Sequence, residues 1–384
     1  MTSTAASGPR YGFVDLLRGC AILVMVETHV VNAYLPPALK QGSDFFFWVA
    51  FVNGLVAPSF LFATGFSFIL QGRHQWDDWL RFRLPFWRQL RRLGFILFVA
   101  YNIHLQGFGL SWYLKNRDNT LMWERTFKVD ILQCIAVSLL ILLLLVLIVR
   151  RRNRLPYAAG SLGIAAALVT PWVWARDFRS DLPLPLALYL NPHKVSLFPL
   201  FPWISFVLAG ACAAHYFLRS VDAEAVPRYM KRAALAGAGL IAAGLLLRPV
   251  PWTLPGHVNF YTTSPLYLMV RLGCVLLVVV LLYRCEARWA GAKWLGPVRI
   301  AGRESLLVYG AHLYVIYSLL RRRLGPVLGL EAGYVGCFLM SAAVIALMLP
   351  LARGWHVFKK KHPRAVRAGQ GILIAAMVVS FLLL

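Results

Sequence analysis

Apolar runs long enough to cross a bilayer recur along the whole chain. They lie at about 13–35, 45–70, 90–106, 129–149, 156–174, 199–218, 232–248, 264–283, 304–320, 332–351 and 370–384. A bilayer core about 30 Å thick needs about 20 helical residues at 1.5 Å each. Charged residues make up only 14% of the chain, against about 25% in soluble proteins. The expected fold is all-α, a polytopic membrane protein with a single bundle of about 10–11 transmembrane helices. No repeat or long linker divides it, so residues 1–384 are read as one membrane domain. Residues 1–12 form its cytoplasmic tail, and 370–384 is the weakest of the spans.

The placement of basic residues orients this bundle. There are 40 Lys+Arg against 15 Asp+Glu, a net charge of +25. Such a surplus suits nucleic acid, but the basic residues cluster between apolar runs, where the positive-inside rule accounts for them. With the N-terminus inside, the cytoplasmic segments hold 27 Lys/Arg and the outer ones 12, with Arg271 inside a run. The expectation is a multi-pass protein of a bacterial inner membrane with a cytoplasmic N-terminus. Its partners would include membrane lipids and no nucleic acid, and a homodimer is left open. The run Arg321-Arg322-Arg323 goes against the rule and leaves the orientation of the last helices open. Residues 1–12 are weakly basic and no small-residue cleavage site follows, so the first run is expected to stay as an anchor. The six cysteines lie in or beside apolar runs without a CxxC pair, which predicts buried thiols, no disulfide and no metal site.

The first run carries the strongest candidate site. At 100° per residue, Arg18 and His29 return to within about 20° of each other, and Asp15 and Asn32 lie within roughly 60° of that line. His29 stands about 16 Å above Arg18, near mid-depth of the bilayer. Ionisable groups at that depth are costly and face a bundle interior or a wet cavity. His29 is therefore a candidate catalytic residue, and a neutral histidine bonded to a neighbouring helix is the alternative. Glu27 lies about 180° from Arg18, so it needs a partner on another helix or a proton.

Two further groups carry chemistry. Arg81, Arg83, Arg88, Arg91 and Arg92 follow the second run, and Arg88 and Arg91 share one helical face. Guanidinium forks match phosphate oxygens bidentately, although the same charges also serve as positive-inside anchors. In the late helix Ser305, Tyr309 and His312 follow i, i+4, i+7 and share a face. There a structural His–Tyr bond competes with a catalytic role. The outer segments 106–128 and 175–198 are rich in Trp, Tyr and Pro, as interfacial aromatics or as the lining of an acceptor cleft. Asp130, Gln133, His193, Lys194, Ser196, His257, Asn259 and Arg271 are candidates for such a cleft, and each also suits a helix end or an interface. No GxSxG, Walker or HExxH pattern is present.

These motifs together resemble a known group. Arg18-x10-His29, with Asp15 before it and Gly19 within it, resembles the first-helix signature of the integral-membrane acyltransferase superfamily. That superfamily includes acyltransferase family 3 and the heparan-α-glucosaminide N-acetyltransferase-like proteins. Arg88-x-x-Arg91 is similar to the family-3 RxxR motif, and Gly302-Arg303-Glu304-Ser305-Leu306 through Tyr309-x-x-His312 to the late helix of the superfamily. Asp130-Ile131-Leu132-Gln133-Cys134-Ile135-Ala136 and Phe198-Pro199-Leu200-Phe201-Pro202-Trp203 resemble the glucosaminide acetyltransferase branch. The resemblance implies transfer of an acetyl group from cytoplasmic acetyl-CoA to a sugar hydroxyl or amine of a glycan or glycoconjugate on the outer face. It implies His29 as catalytic residue, with Arg18, Arg88 and Arg91 for donor binding or for the structure of that site, and Arg92 of the same cluster is a further donor-binding candidate. In the mammalian lysosomal enzymes the active histidine lies further on, where this chain has Lys40 and Gln41. A ping-pong route through that residue is therefore not carried over.

On this reading the nucleotide end docks on Arg88 and Arg91, and the thioester arrives near His29. His29 acts as general base or briefly carries the acetyl, while His312 or Tyr309 orients it or stabilises the oxyanion. A transporter or flippase using the polar stripe as a path is the alternative. It would call for inverted repeats or broken helix pairs, which the sequence lacks. A membrane scaffold gives no reason for two intramembrane histidines.

Overall fold

The computed structural model describes residues 11–250, 259–289, 291–324 and 332–384. Arg10, His257 and most of the expected tail lie outside them. Among the described residues the chain is helical and has no strand. All eleven apolar runs form helices, and among the described residues seven helices are long and apolar enough to cross a membrane. Three further expected spans, Gly12–Tyr34, Leu84–Ile103 and Val226–Leu246, carry three charged side chains each. Two runs are broken. The expected span 45–70 divides into Asp44–Asn53 and Val56–Leu80 around Gly54. The expected span 304–320 becomes an α-helix, Ser305–Leu313, that widens into a π-helix, Tyr314–Leu324. The large apolar side chains left exposed on these helices, such as Ile148 at 77% and Leu383 at 80%, are the surface that lipid would cover.

The chain folds into two compact units. One comprises residues 61–277 and 370–384. Its centre is the helix Leu200–Asp222, packed against Leu155–Ala175 and Ile131–Val149. Ile131–Val149 has a mean hydropathy of 3.2 and a capping box, with Asp130 and Gln133 bonding each other's backbone ends. Gly65 and Gly210 let Val56–Leu80 approach Leu200–Asp222. A Cβ at either glycine would meet the Val207 or Phe62 carbonyl oxygen. Small residues at such crossings are how apolar helices associate where burial from water no longer drives them.

The loops of this unit sort into two groups. Arg73 pairs with Asp222 at 2.7 Å and Arg152 with Asp77 at 3.7 Å, and Trp76 Nε1–H donates to the Arg150 carbonyl at 3.1 Å. Segments 71–92, 150–154 and 219–232 thus meet, as the charge rule requires of loops on one side. At the far end of Leu84–Ile103, Glu124 pairs with Arg179 at 2.8 Å and the Val129 N–H donates to Ser196 Oγ at 2.9 Å. These contacts join segments 106–128 and 175–198.

The second unit comprises residues 9–60 and 278–369. The helix Gly12–Tyr34 is its axis, and Leu16, Ile22, Val26 and Val30 are each at most 1% exposed. Leu295–Arg303 and Tyr334–Lys361 pack along it. The first contact depends on two glycines. A Cβ at Gly302 would run into the Asp15 carbonyl oxygen, and one at Gly19 into the Val298 carbonyl oxygen.

Gly302→Ala is expected to destabilise the protein by about 1–3 kcal/mol through overpacking, read as a lower thermal-denaturation midpoint in detergent. Gly296→Ala, on the same helix with open space around its Cβ position, should leave the midpoint unchanged.

Candidate active site

The polar stripe of the first helix is satisfied at both ends by the late helices of its own unit. At one end Arg303 Nε–H donates to Asp15 Oδ2 at 2.6 Å. Both side chains are less than one-third exposed, so the pair is a charge-assisted contact with limited screening. Next to it the chain leaves helical geometry at Glu304, whose φ is −98° and ψ 27°. The buried Glu304 carboxylate accepts from Lys359 Nζ at 2.6 Å and faces His356 Nδ1 at 2.8 Å. A buried carboxylate needs such donors. Arg18, one turn above Asp15, is partly buried on the same helix.

His29 lies eleven residues further on and is half-buried. Its ring stands 5.1 Å from that of His312, and its Nδ1 is 3.1 Å from the Tyr317 hydroxyl. His312 is fully buried, with its ring 5.7 Å from that of Tyr309 in a T-shaped contact. Its Nδ1–H donates to the Val308 carbonyl at 2.8 Å. That bond places the proton on Nδ1 and leaves Nε2 as an acceptor, without a hydrogen-bond partner among the described residues. Two imidazoles and a phenol therefore meet within the apolar interior.

Tyr317 is absent from the sequence reading because it lies five residues beyond His312. In an α-helix that spacing points elsewhere. The π-helix that begins at Tyr314 bonds i→i+5 and so has a wider turn. Tyr34 Oη–H donates to the Ile316 carbonyl at 3.0 Å and pins that turn to the first helix. No periodicity in the sequence marks the change of pitch. Glu304 and Arg303 were within a quoted motif, but their partners His356 and Asp15 are distant in sequence.

The other candidates divide clearly. Glu27 finds the cross-helix partner it required, the Asn53 side chain. Ser305 begins its helix, and no hydrogen bond joins it to either imidazole among the described residues. Arg88, Arg91 and Arg92 belong to the other unit and are exposed on Leu84–Ile103, opposite its buried Phe86, Gln89 and Leu93. No carboxylate pairs with them among the described residues. Asp130 caps a helix start, Asn259 closes the turn that precedes Pro265–Arg288, and Arg271 stacks over Tyr267 at 4.4 Å. Within the first unit the segments 106–128 and 174–195 surround a cavity of about 1010 Å³, lined in part by His193 and Lys194.

Asp15 and Arg303 should be coupled energetically. Asp15→Asn and Arg303→Gln are each expected to destabilise by about 1–3 kcal/mol, and the double variant by less than their sum. Thermal unfolding of the four proteins checks this, and strict additivity would show that the pair contributes nothing.

Comparison with known proteins agrees with the motifs. No curated protein matches the chain. Residues 10–244, more than half of it, match the family described as heparan-alpha-glucosaminide N-acetyltransferase, catalytic. The match includes Arg18, His29 and the Arg88–Arg91 motif and ends before Tyr309 and His312. The chain belongs to the heparan-alpha-glucosaminide N-acetyltransferase catalytic family, and is an all-α, multi-pass membrane acetyltransferase.

Proposed function

We propose that this protein transfers an acetyl group from cytoplasmic acetyl-CoA to a hydroxyl or amine of a sugar, on a glycan or glycoconjugate at the outer face of a bacterial inner membrane. The observation that carries this reading is the grouping of His312 and Tyr317 around His29, which stands on the helix that also bears Arg18. Acetyl-CoA supplies an acetyl group activated as a thioester. The three exposed arginines fit its phosphates, because they are guanidiniums on one helix without carboxylate partners among the described residues. Arg88 and Arg91 would hold the phosphates, with Arg92 beside them. Arg18 lies on the helix that leads to the imidazoles.

His29 then acts as general base. With its Nδ1–H donated to the Tyr317 oxygen, Nε2 carries the lone pair that takes the acceptor's proton as its bond to the acetyl carbon forms, and gives that proton to the departing thiolate as the thioester C–S bond breaks. The Tyr317 contact fixes both the ring orientation and this tautomer. His312, packed by Tyr309 and tied to the Val308 carbonyl, keeps a second imidazole against His29 and orients it. The buried surroundings exclude water, which would otherwise compete with the sugar for the acetyl group.

Base catalysis contributes about 10²–10⁴-fold, so His29→Ala should lose that much in kcat while keeping its thermal-denaturation midpoint. His312→Ala and Tyr309→Phe should be slower by smaller factors, and Tyr317→Phe should lower kcat with little change in KM. Acetyl-CoA should raise the midpoint of the wild-type protein, and Arg88→Ala/Arg91→Ala should abolish that rise. Transfer at the wild-type rate by purified His29→Ala protein overturns the mechanism.

A further inference from the structure

The cavity formed by segments 106–128 and 174–195 is separate in residue content from the imidazole cluster and has a composition of its own. Arg125, Lys128, Arg176, Arg179 and Lys194 line it, against only Glu124 and Asp177. Two of the cations are already committed. Arg179 bridges Glu124 at 2.8 Å and Asp177 at 2.7 Å, and Arg176 pairs with Asp181 at 2.7 Å. The guanidinium of Arg179 holds the Asp177 carboxyl well below the usual carboxylate range. Arg125, Lys128 and Lys194 have no carboxylate within ion-pair distance among the described residues. Three cations facing one cavity whose two carboxylates are both taken by Arg179 repel one another, and a multiply charged anion would offset that repulsion.

The cavity also contains a fixed neutral group. The His193 side chain is only 5% exposed, with Nδ1 3.6 Å from Asp177 Oδ1. Its Nε2 is buried and has no hydrogen-bond partner among the described residues. Burial pushes the imidazole below its ordinary pKa, so the ring is neutral near pH 7. With the proton on the nitrogen facing Asp177, Nε2 is left as an acceptor for a hydroxyl.

The loop that holds this histidine is built rather than loose. His193 and Lys194 both have left-handed backbones, with φ of 43° and 63°, a conformation that residues other than glycine adopt only when the surroundings impose it. Asn191 imposes it. Its side chain accepts the His193 N–H at 3.0 Å and donates to the Trp174 and Arg176 carbonyls at 2.9 and 2.8 Å. The ring of Trp174, another lining residue, is itself set by an Nε1–H bond to the Phe201 carbonyl at 2.9 Å.

We propose that this cavity is a sugar-phosphate site, with Arg125, Lys128 and Lys194 on the phosphate, His193 Nε2 accepting from a sugar hydroxyl and Trp174 against the ring. The choice of a sugar over another organic phosphate rests on the transferase reading above, whereas the anion site does not. Calorimetry on the full-length protein in detergent tests it, using glucose 6-phosphate, glucose, glucuronate and inorganic phosphate as probes. Glucose 6-phosphate should bind at least about ten-fold tighter than any of the other three, as loss of charge-assisted or hydroxyl contacts implies. Arg125→Gln and Lys194→Asn should each weaken it about ten-fold. His193→Asn, which keeps a residue tolerant of the left-handed backbone, should remove the preference for glucose 6-phosphate over inorganic phosphate. His29→Ala should bind as the wild type does, so failure of the transfer mechanism is read separately. Equal binding of glucose and glucose 6-phosphate, or affinity unchanged in Arg125→Gln and Lys194→Asn, overturns the site. Inorganic phosphate or glucuronate bound as tightly as glucose 6-phosphate overturns the ligand class and leaves the acetyl-transfer reading untouched.

Discussion

A polar group in an apolar interior must find its partner inside the protein, and the architecture around the first helix follows from that requirement. Asp15, Glu27 and His29 cannot turn to water along most of the helix length, and an unmet charge there is expensive. Arg303 answers Asp15, the Asn53 side chain answers Glu27, and Tyr317 answers His29. Each partner comes from a different element of the same unit. The glycines at positions 19 and 302 set how near Gly12–Tyr34 and Leu295–Arg303 lie, and so whether the Asp15 contact can form.

The irregularities of the late helix serve the same end. The break at Glu304 and the wider turn after Leu313 lie between Arg303, which meets Asp15, and Tyr317, which meets His29. The buried carboxylate of Glu304 is held there by His356 and Lys359 from Tyr334–Lys361. Non-helical backbone at membrane depth is tolerated where protein covers it, and short π segments are often found where a side chain has to be re-aimed at a site.

Much of the helical plan was legible. Every apolar run became helical, because runs of that length and composition can bury their backbone polar groups in no other way in lipid. Arg88 and Arg91 share an exposed face as their spacing required, and the charged loops 71–92, 150–154 and 219–232 meet at one end. Breaks inside the runs were not legible, since Gly54 and Glu304 read as ordinary residues within apolar stretches. His193 and Lys194 stood out only as polar residues in an aromatic loop. Their role in a basic cavity needed Glu124, Asp177 and Asn191 to be brought beside them.

The amino-acid order by itself determined the solvent this chain is made for, the helices that result, and the polar line along the first of them. Those properties are local, set by hydropathy over about 20 residues and by a turn of 100° per residue. Which groups meet that line was decided only in three dimensions. The partners lie 288 residues from Asp15 and from His29, and their alignment depends on helix crossings and a change of pitch that no local pattern encodes.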